Sequence, residues 1–123
     1  MNWPYKYFQE SELECKCLSP ECGGWPDSEA AHAFMRKLDA WREAIGYPIT
    51  VVSGYRCSSH PQKSPNHVTG CAMDFSVEVK PAIWLPLALN YGFTGIGFRN
   101  DPGKSQKNHI DTAHSELAIW TYG

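Results

Sequence analysis

Apolar residues in the first half of the chain recur at the spacing of a helix. They lie three or four positions apart, so they would share one face of that helix. The apolar positions are Ala31, Phe34, Leu38, Trp41 and Ile45. Asp27 or Ser28 can cap the first turn, and Gly46 is a natural stop. The pattern therefore predicts an amphipathic helix from about Ser28 to Ile45 that packs against a sheet.

Strand patterns follow this helix. The β-branched run Pro48–Ser53 ends at Gly54 and predicts a buried strand that leads into a long polar loop. Residues Cys71–Val79 alternate in polarity, as in a strand with one buried face. Shorter strands are predicted at Thr94–Phe98, Asn108–Thr112 and Leu117–Thr121.

A second helix is predicted over Pro81–Tyr91. Pro81 suits its first turn, Gly92 ends it, and the interior Pro86 should kink it or shift its start. The order helix, strand, strand, helix and several short strands indicates an α+β fold, with a small and largely antiparallel sheet flanked by helices. The length of 123 residues predicts a single domain over residues 1–123.

Composition and charge narrow the possible partners. An apolar share of 42% and a charged share of 20% are ordinary for a globular protein. The net charge is -2 and the basic residues are scattered, so we expect neither a nucleic-acid partner nor a membrane partner. The first residues lack the pattern of a signal peptide, so we expect the chain to be made in the cytoplasm.

Three cysteines lie close together near the start of the chain. Cys15, Cys17 and Cys22 occupy a stretch rich in Gly and Pro, where thiolates could bind a second, structural zinc ion. Reduced thiols or one incidental disulfide are the alternative, because structural zinc usually takes four ligands at more regular spacing. The sequence leaves both interpretations open.

Two short motifs carry the candidate chemistry. His67 and Asp74 are separated by six residues that include Gly70, which lets the backbone turn tightly before the strand. Farther on, His109 and Asp111 lie two positions apart and would share one face of a strand. Two histidines and one carboxylate form a common catalytic zinc set that leaves a position open for water.

Amide hydrolysis at such a site also needs a proton acceptor and a cation for the oxyanion. Asp111 and Arg56 are the candidates for these two roles. The other histidines have plainer interpretations. We expect His32 on a solvated helix face, and we expect His60 to be structural or at the substrate rim. His114 could be a base close to the metal ligands or simply a solvent-exposed side chain.

Several ordered motifs resemble the zinc peptidases that include D-Ala-D-Ala carboxypeptidases and phage L-alanyl-D-glutamate peptidases, which share their fold with the hedgehog signalling domain. The resemblance covers nearly the whole chain. Its motifs are Phe8–Leu13 followed by the cysteines, Ile49–Cys57, His67–Asp74, Gly95–Phe98, His109–Asp111 and Ile119–Gly123.

The resemblance implies zinc as cofactor, with His67, Asp74 and His109 as its ligands. It implies that Arg56 binds the scissile carbonyl or a substrate carboxylate, and that Ser53 and Tyr55 also contact the substrate. Some relatives carry an acidic base three residues before the last ligand, where this chain has Gln106. Asp111 is therefore the predicted base, or alternatively a partner that orients a ligand or Arg56.

Three positions depart from the pattern of the relatives: Pro65, Cys71 and Ala113. None removes a predicted ligand, but each changes a position expected near the substrate. The expected function is hydrolysis of an amide bond in a peptidoglycan stem peptide or cross-link, by a monomeric phage endolysin acting on the wall of an infected bacterium. A non-catalytic zinc-stabilised binding module or a phage structural component of the same fold is the alternative.

Overall fold

The computed structural model describes residues 3–15, 24–55, 70–99 and 108–122. Within these ranges lie three helices and five strands. They are α1 (Glu10–Leu13), α2 (Glu29–Ile45), β1 (Ile49–Ser53), β2 (Ala72–Val77), α3 (Pro81–Asn90), β3 (Gly95–Phe98), β4 (Asn108–Asp111) and β5 (Ala118–Thr121). The predicted α+β class is confirmed.

Local sequence signals set the bounds of the helices. The Ser28 side chain accepts a hydrogen bond from the Ala31 backbone N–H (3.1 Å), and the chain leaves α2 at Gly46, whose φ is 76°. Helix α3 begins at Pro81 and continues through Pro86, so the interior proline does not shift its start. Helix α1 was not predicted. It is a single turn, closed by reciprocal hydrogen bonds between Gln9 and Glu12.

The five strands form one sheet in the order β1-β2-β4-β3-β5. Every neighbouring pair is antiparallel except β3 and β5, which are parallel. This order places β2 and β4 side by side near the middle of the sheet. The sequence predicted one buried face for β2, but both of its faces are largely buried.

The core lies between α2, α3 and one face of the sheet. At its centre, Trp41 contacts Phe75, Trp84 and Phe93, with ring centroids 5.2, 6.2 and 5.7 Å apart. The Trp41 indole N–H donates to the Trp84 carbonyl at 3.1 Å, so its polar atom is satisfied in the core. These edge-to-face contacts fix the sheet relative to both helices.

The N-terminal segment is fastened to α2 by one carboxylate. Both oxygens of Asp39 accept hydrogen bonds from backbone N–H groups, those of Lys6 and Tyr7, at 2.9 Å each.

No helix in the described part of the chain has the length and apolar character needed to cross a membrane.

Candidate metal centre

The face of the sheet opposite the main apolar core carries polar and aromatic side chains in two rows. Residues directly opposite one another on paired strands share a face, so the pairing defines each row. The first row is Asp74, His109, Gly97 and Trp120, on β2, β4, β3 and β5. The second row is Ala72, Asp111, Gly95 and Ala118 on the same strands. On the other face, Met73, Ile96 and Ile110 are fully buried, whereas Ile119 on the edge strand β5 is exposed.

Asp74 and His109 form the central pair. Asp74 Oδ1 lies 3.0 Å from His109 Nδ1, and the two residues are only 4% and 6% exposed. Two tetrahedral zinc ligands at bond lengths of about 2.0–2.1 Å would lie about 3.3 Å apart. A carboxylate oxygen and an imidazole nitrogen at this separation are therefore a suitable donor pair for zinc.

A second carboxylate holds the far side of the His109 ring. His109 Nε2 donates to Asp111 Oδ2 at 2.7 Å, and Asp111 Oδ1 accepts from the His114 ring Nδ1 at 2.8 Å. The backbone N–H groups of Ala113 and His114 also donate to Oδ1, at 3.0 and 3.3 Å. Asp111 is 0% exposed, so its carboxylate is stabilised entirely by these donors and by its other neighbours.

This network shifts the pKa values of two of its members. Burial by itself would lower the pKa of His109, but hydrogen bonds with Asp111 and Asp74 outweigh burial and raise that pKa above the ordinary histidine value. Burial would raise the pKa of Asp111, but hydrogen bonds from His109 and His114 hold it below the ordinary value. Without metal, these two shifts favour a protonated His109 beside an ionised Asp111.

Two glycines of β3 make room for this arrangement. A Cβ on Gly95 would lie 2.5 Å from Asp111 Cγ, and one on Gly97 would lie 2.7 Å from Trp120 Cε2. Because both side chains are absent, the Trp120 ring contacts the rings of His109 and His114, with centroids 5.3 and 5.7 Å apart. In the pattern Gly95-Ile96-Gly97, the two glycines thus leave space for site side chains on one face, while Ile96 packs into the core on the other.

Two further polar residues continue this face past the first row. Arg99 follows Gly97 by two positions on the same face, and Tyr122 follows Trp120 in the same way. The Arg99 Nε atom is buried and has no hydrogen-bond partner in the part of the chain that the structure describes. Burial raises the pKa of Tyr122, opposed by a hydrogen bond from Trp120, and the charge of Asp74 raises it further.

The structure brings three predicted site residues together: Asp74, His109 and Asp111. Ser53 pairs with Asp74 across β1 and β2, which places it beside the central pair. Tyr55, two residues farther on, donates its backbone N–H to the Leu13 carbonyl at 2.8 Å. The roles predicted for these residues remain predictions.

The remaining predicted site residues lie outside the described residues. They are Arg56, His60, His67 and Gln106, together with Pro65 and the thiols Cys17 and Cys22. Within residues 3–15, 24–55, 70–99 and 108–122, no three histidine, cysteine or acidic side chains converge as a metal-binding group. Asp74 and His109 are thus the described part of the predicted ligand set.

The structure also shows the surroundings of His32 and His114, the two other histidines that it describes. His32 is only partly exposed to solvent: its ring Nδ1 bonds to the Tyr5 hydroxyl, and its Nε2 lies 2.6 Å from Asp27 Oδ1. The His114 side chain is 31% exposed and its ring bonds to Asp111, so it is only partly open to solvent, and its role as a base stays a prediction.

Sequence reasoning did not assign site roles to Gly95, Gly97, Arg99, Trp120 and Tyr122. The alternation of glycine with isoleucine and phenylalanine in β3 was the available signal, because a strand with repeated glycine on one face leaves space for side chains of its neighbours.

Comparison with known protein families gives a match over most of the chain. A family model described as Peptidase M15 matches residues 6–111, a stretch that includes Asp74, His109 and Asp111. No curated protein sequence matches the chain. Since the matched stretch covers well over half of the sequence, the chain belongs to the Peptidase M15 family and is a peptidase of the metallopeptidase type.

Proposed function

We propose that this protein is a zinc peptidase that hydrolyses an amide bond in peptidoglycan stem peptides or cross-links. The observation that carries the proposal is the Asp74–His109 pair, in which a carboxylate and an imidazole from neighbouring strands present an oxygen and a nitrogen 3.0 Å apart. With His67 as the third ligand, these residues would hold zinc with one open position.

Bound zinc would supply a Lewis acid for the scissile carbonyl and a water of lowered pKa. The protein's own residues hold the donors in place. Asp74 and His109 are buried on the two central strands, and Asp111 fixes the orientation of the His109 ring through Nε2. Arg56 is proposed to bind the carbonyl oxygen or a substrate carboxylate. Asp111 remains the predicted base, while its hydrogen bonds favour the orienting role that the sequence also allowed.

The charge at the rim of this face supports an anionic peptide substrate. Arg99 follows β3, past the row that contains Asp74 and His109, and its buried Nε lacks a partner among the described residues. Tyr122 directly follows the neighbouring strand β5. A guanidinium binds a carboxylate through two parallel hydrogen bonds. Peptidoglycan stem peptides carry free carboxylates, so they suit the Arg99 guanidinium. We extend the proposal to a phage endolysin that acts on the wall of an infected bacterium.

The direct test measures release of free amino groups from purified peptidoglycan. The wild-type protein should release them when loaded with zinc, lose this activity in a chelator and regain it when zinc is restored. His109→Ala should remain inactive with zinc present, because a ligand is missing. His32→Ala is the matched control, since it removes a histidine that lies outside the site, and it should retain activity.

Failure of the zinc-loaded wild type to release amino groups would refute the peptidase proposal and favour a non-catalytic zinc-stabilised binding module. Mass spectrometry of the digested wall would identify the bond. New termini at L-Ala–D-Glu or at D-Ala–D-Ala distinguish the two substrate types named by the resemblance.

A further inference from the structure

We propose that His114 is a positioning residue of the metal centre: it holds Asp111, which in turn fixes His109 in its metal-binding orientation. This inference rests on the proposed zinc site. His114 lies beyond residues 6–111, the stretch matched by the family model, so its role is argued from this chain alone.

The contacts form one continuous series. Asp74 Oδ1 lies 3.0 Å from His109 Nδ1, His109 Nε2 lies 2.7 Å from Asp111 Oδ2, and Asp111 Oδ1 lies 2.8 Å from His114 Nδ1. When His109 binds a metal through Nδ1, the Nε2–H group is the only hydrogen-bond donor left on the ring, and Asp111 Oδ2 accepts that hydrogen bond. A carboxylate in this position fixes both the ring and its tautomer.

Asp111 itself needs to be held. It is 0% exposed, and a buried carboxylate that loses a donor can rotate or draw in water to replace it. Among the described donors to Oδ1, the His114 ring is the nearest at 2.8 Å, compared with 3.0 and 3.3 Å for the two backbone N–H groups. Removing the ring should therefore loosen Asp111, because it deletes the one described side-chain donor to Oδ1.

The surroundings of His114 also fix its ring. Trp120 contacts both this ring and that of His109, and the absence of a Cβ at Gly95 leaves space beside His114 Nδ1. The side chain is 31% exposed, so its replacement alters the core little. Because Asp111 Oδ1 can only accept, His114 Nδ1 carries the proton and donates it in this hydrogen bond.

Substitutions of His114 can distinguish a specific hydrogen-bonding role from a merely structural one. Asparagine places an amide N–H at the distance of the ring Nδ1 from the backbone, whereas glutamine places it one bond farther out. His114→Asn should therefore preserve the hydrogen bond to Asp111, while His114→Gln and His114→Ala should not.

The experiment is a zinc titration against a chromogenic chelator, with circular dichroism to verify the fold. Loss of a partner beyond the metal ligands typically weakens metal binding about 10–100-fold, so we expect about tenfold weaker zinc binding for His114→Ala and His114→Gln. His114→Asn should bind zinc within about threefold of wild type, since it keeps the donor. His32→Ala controls for removal of a histidine elsewhere and should bind as wild type does. The visible spectrum of bound Co²⁺ should change in the alanine variant and recover in the asparagine variant.

Wild-type zinc affinity in folded His114→Ala, or an asparagine variant no better than the alanine one, would overturn the inference. If the wild type bound no zinc, the proposed function would fail instead. In that event, proton NMR of the metal-free protein still tests the positioning role. The exchange-protected Nε2–H signal of His109 should persist in His114→Asn and disappear in His114→Ala, and its persistence in both would overturn the inference.

Discussion

The substitution Gly95→Ala should break the hydrogen bond between His109 and Asp111 and weaken metal binding, while the sheet stays intact. Gly95 lies in β3 directly opposite Asp111, and a new Cβ would lie 2.5 Å from Asp111 Cγ. Non-bonded carbon atoms prefer separations of about 3.5–4.0 Å, so the carboxylate must move by about 1 Å. Such a shift lengthens the 2.7 Å bond between His109 Nε2 and Asp111 Oδ2 beyond hydrogen-bond range.

The expected loss is in metal affinity. Removing the partner that orients a metal-binding histidine weakens binding about 10–100-fold, which corresponds to about 1.4–2.7 kcal/mol. Crowding inside a packed region also lowers the free energy of unfolding by about 1–3 kcal/mol. Gly95 lies outside the left-handed region of φ, so the effect of alanine there is steric.

The assay measures zinc affinity by chelator competition and stability by urea unfolding of the metal-free protein. Ile96→Val is the matched control, because Ile96 lies on the same strand but faces the core. Its unfolding free energy should fall by about 0.5–1.5 kcal/mol, while its zinc affinity should not change. A folded Gly95→Ala protein that binds zinc as tightly as wild type would refute the steric argument.

Two further predictions concern proton release and the substrate rim. Hydrogen bonds with Asp111 and Asp74 raise the pKa of His109, so this ring stays protonated to a higher pH than an ordinary histidine. A metal requires a deprotonated Nδ1, so zinc binding to the metal-free protein should release a proton from His109 over that wider pH range. Calorimetry in buffers of different ionisation enthalpy counts these protons, and equal heats across buffers near neutral pH would contradict it. Arg99→Met should raise KM for wall peptide by about tenfold with little change in kcat, since it removes a charge-assisted hydrogen bond to substrate carboxylate. Steady-state kinetics separates these constants, with Arg36→Met as the control for loss of a surface charge.

Local patterns were sufficient to predict most elements of the fold. The apolar spacing of α2 and its Ser28 and Gly46 boundaries depend on near neighbours in sequence, so the sequence alone contains that information. The strand order does not follow in the same way. β4 lies between β2 and β3, and β5 pairs in parallel with β3, because the sheet is completed by contacts between segments distant in sequence.

The site was predictable to the extent that its chemistry lies in short motifs. The spacing of His109 and Asp111 placed both on one strand face, and the structure adds that Asp74 lies directly opposite His109. The His114–Asp111 hydrogen bond was not predictable, since it depends on the turn after β4 and on the space left by Gly95. The glycine alternation in β3 indicates that space is left on one face, but the side chains that fill it come from neighbouring strands and from the turn after β4.

The hydrogen bonds of Asp111 bear on how it can act in catalysis. A general base works best when its pKa lies near the working pH and one oxygen can reach the reacting water. Here Oδ2 accepts from His109 and Oδ1 accepts from His114 and two backbone N–H groups, which together hold the pKa below the ordinary aspartate value. The same contacts favour the ionised form of Asp111, which is the form that accepts a hydrogen bond from His109. Its geometry therefore favours orienting a ligand over accepting a proton from water.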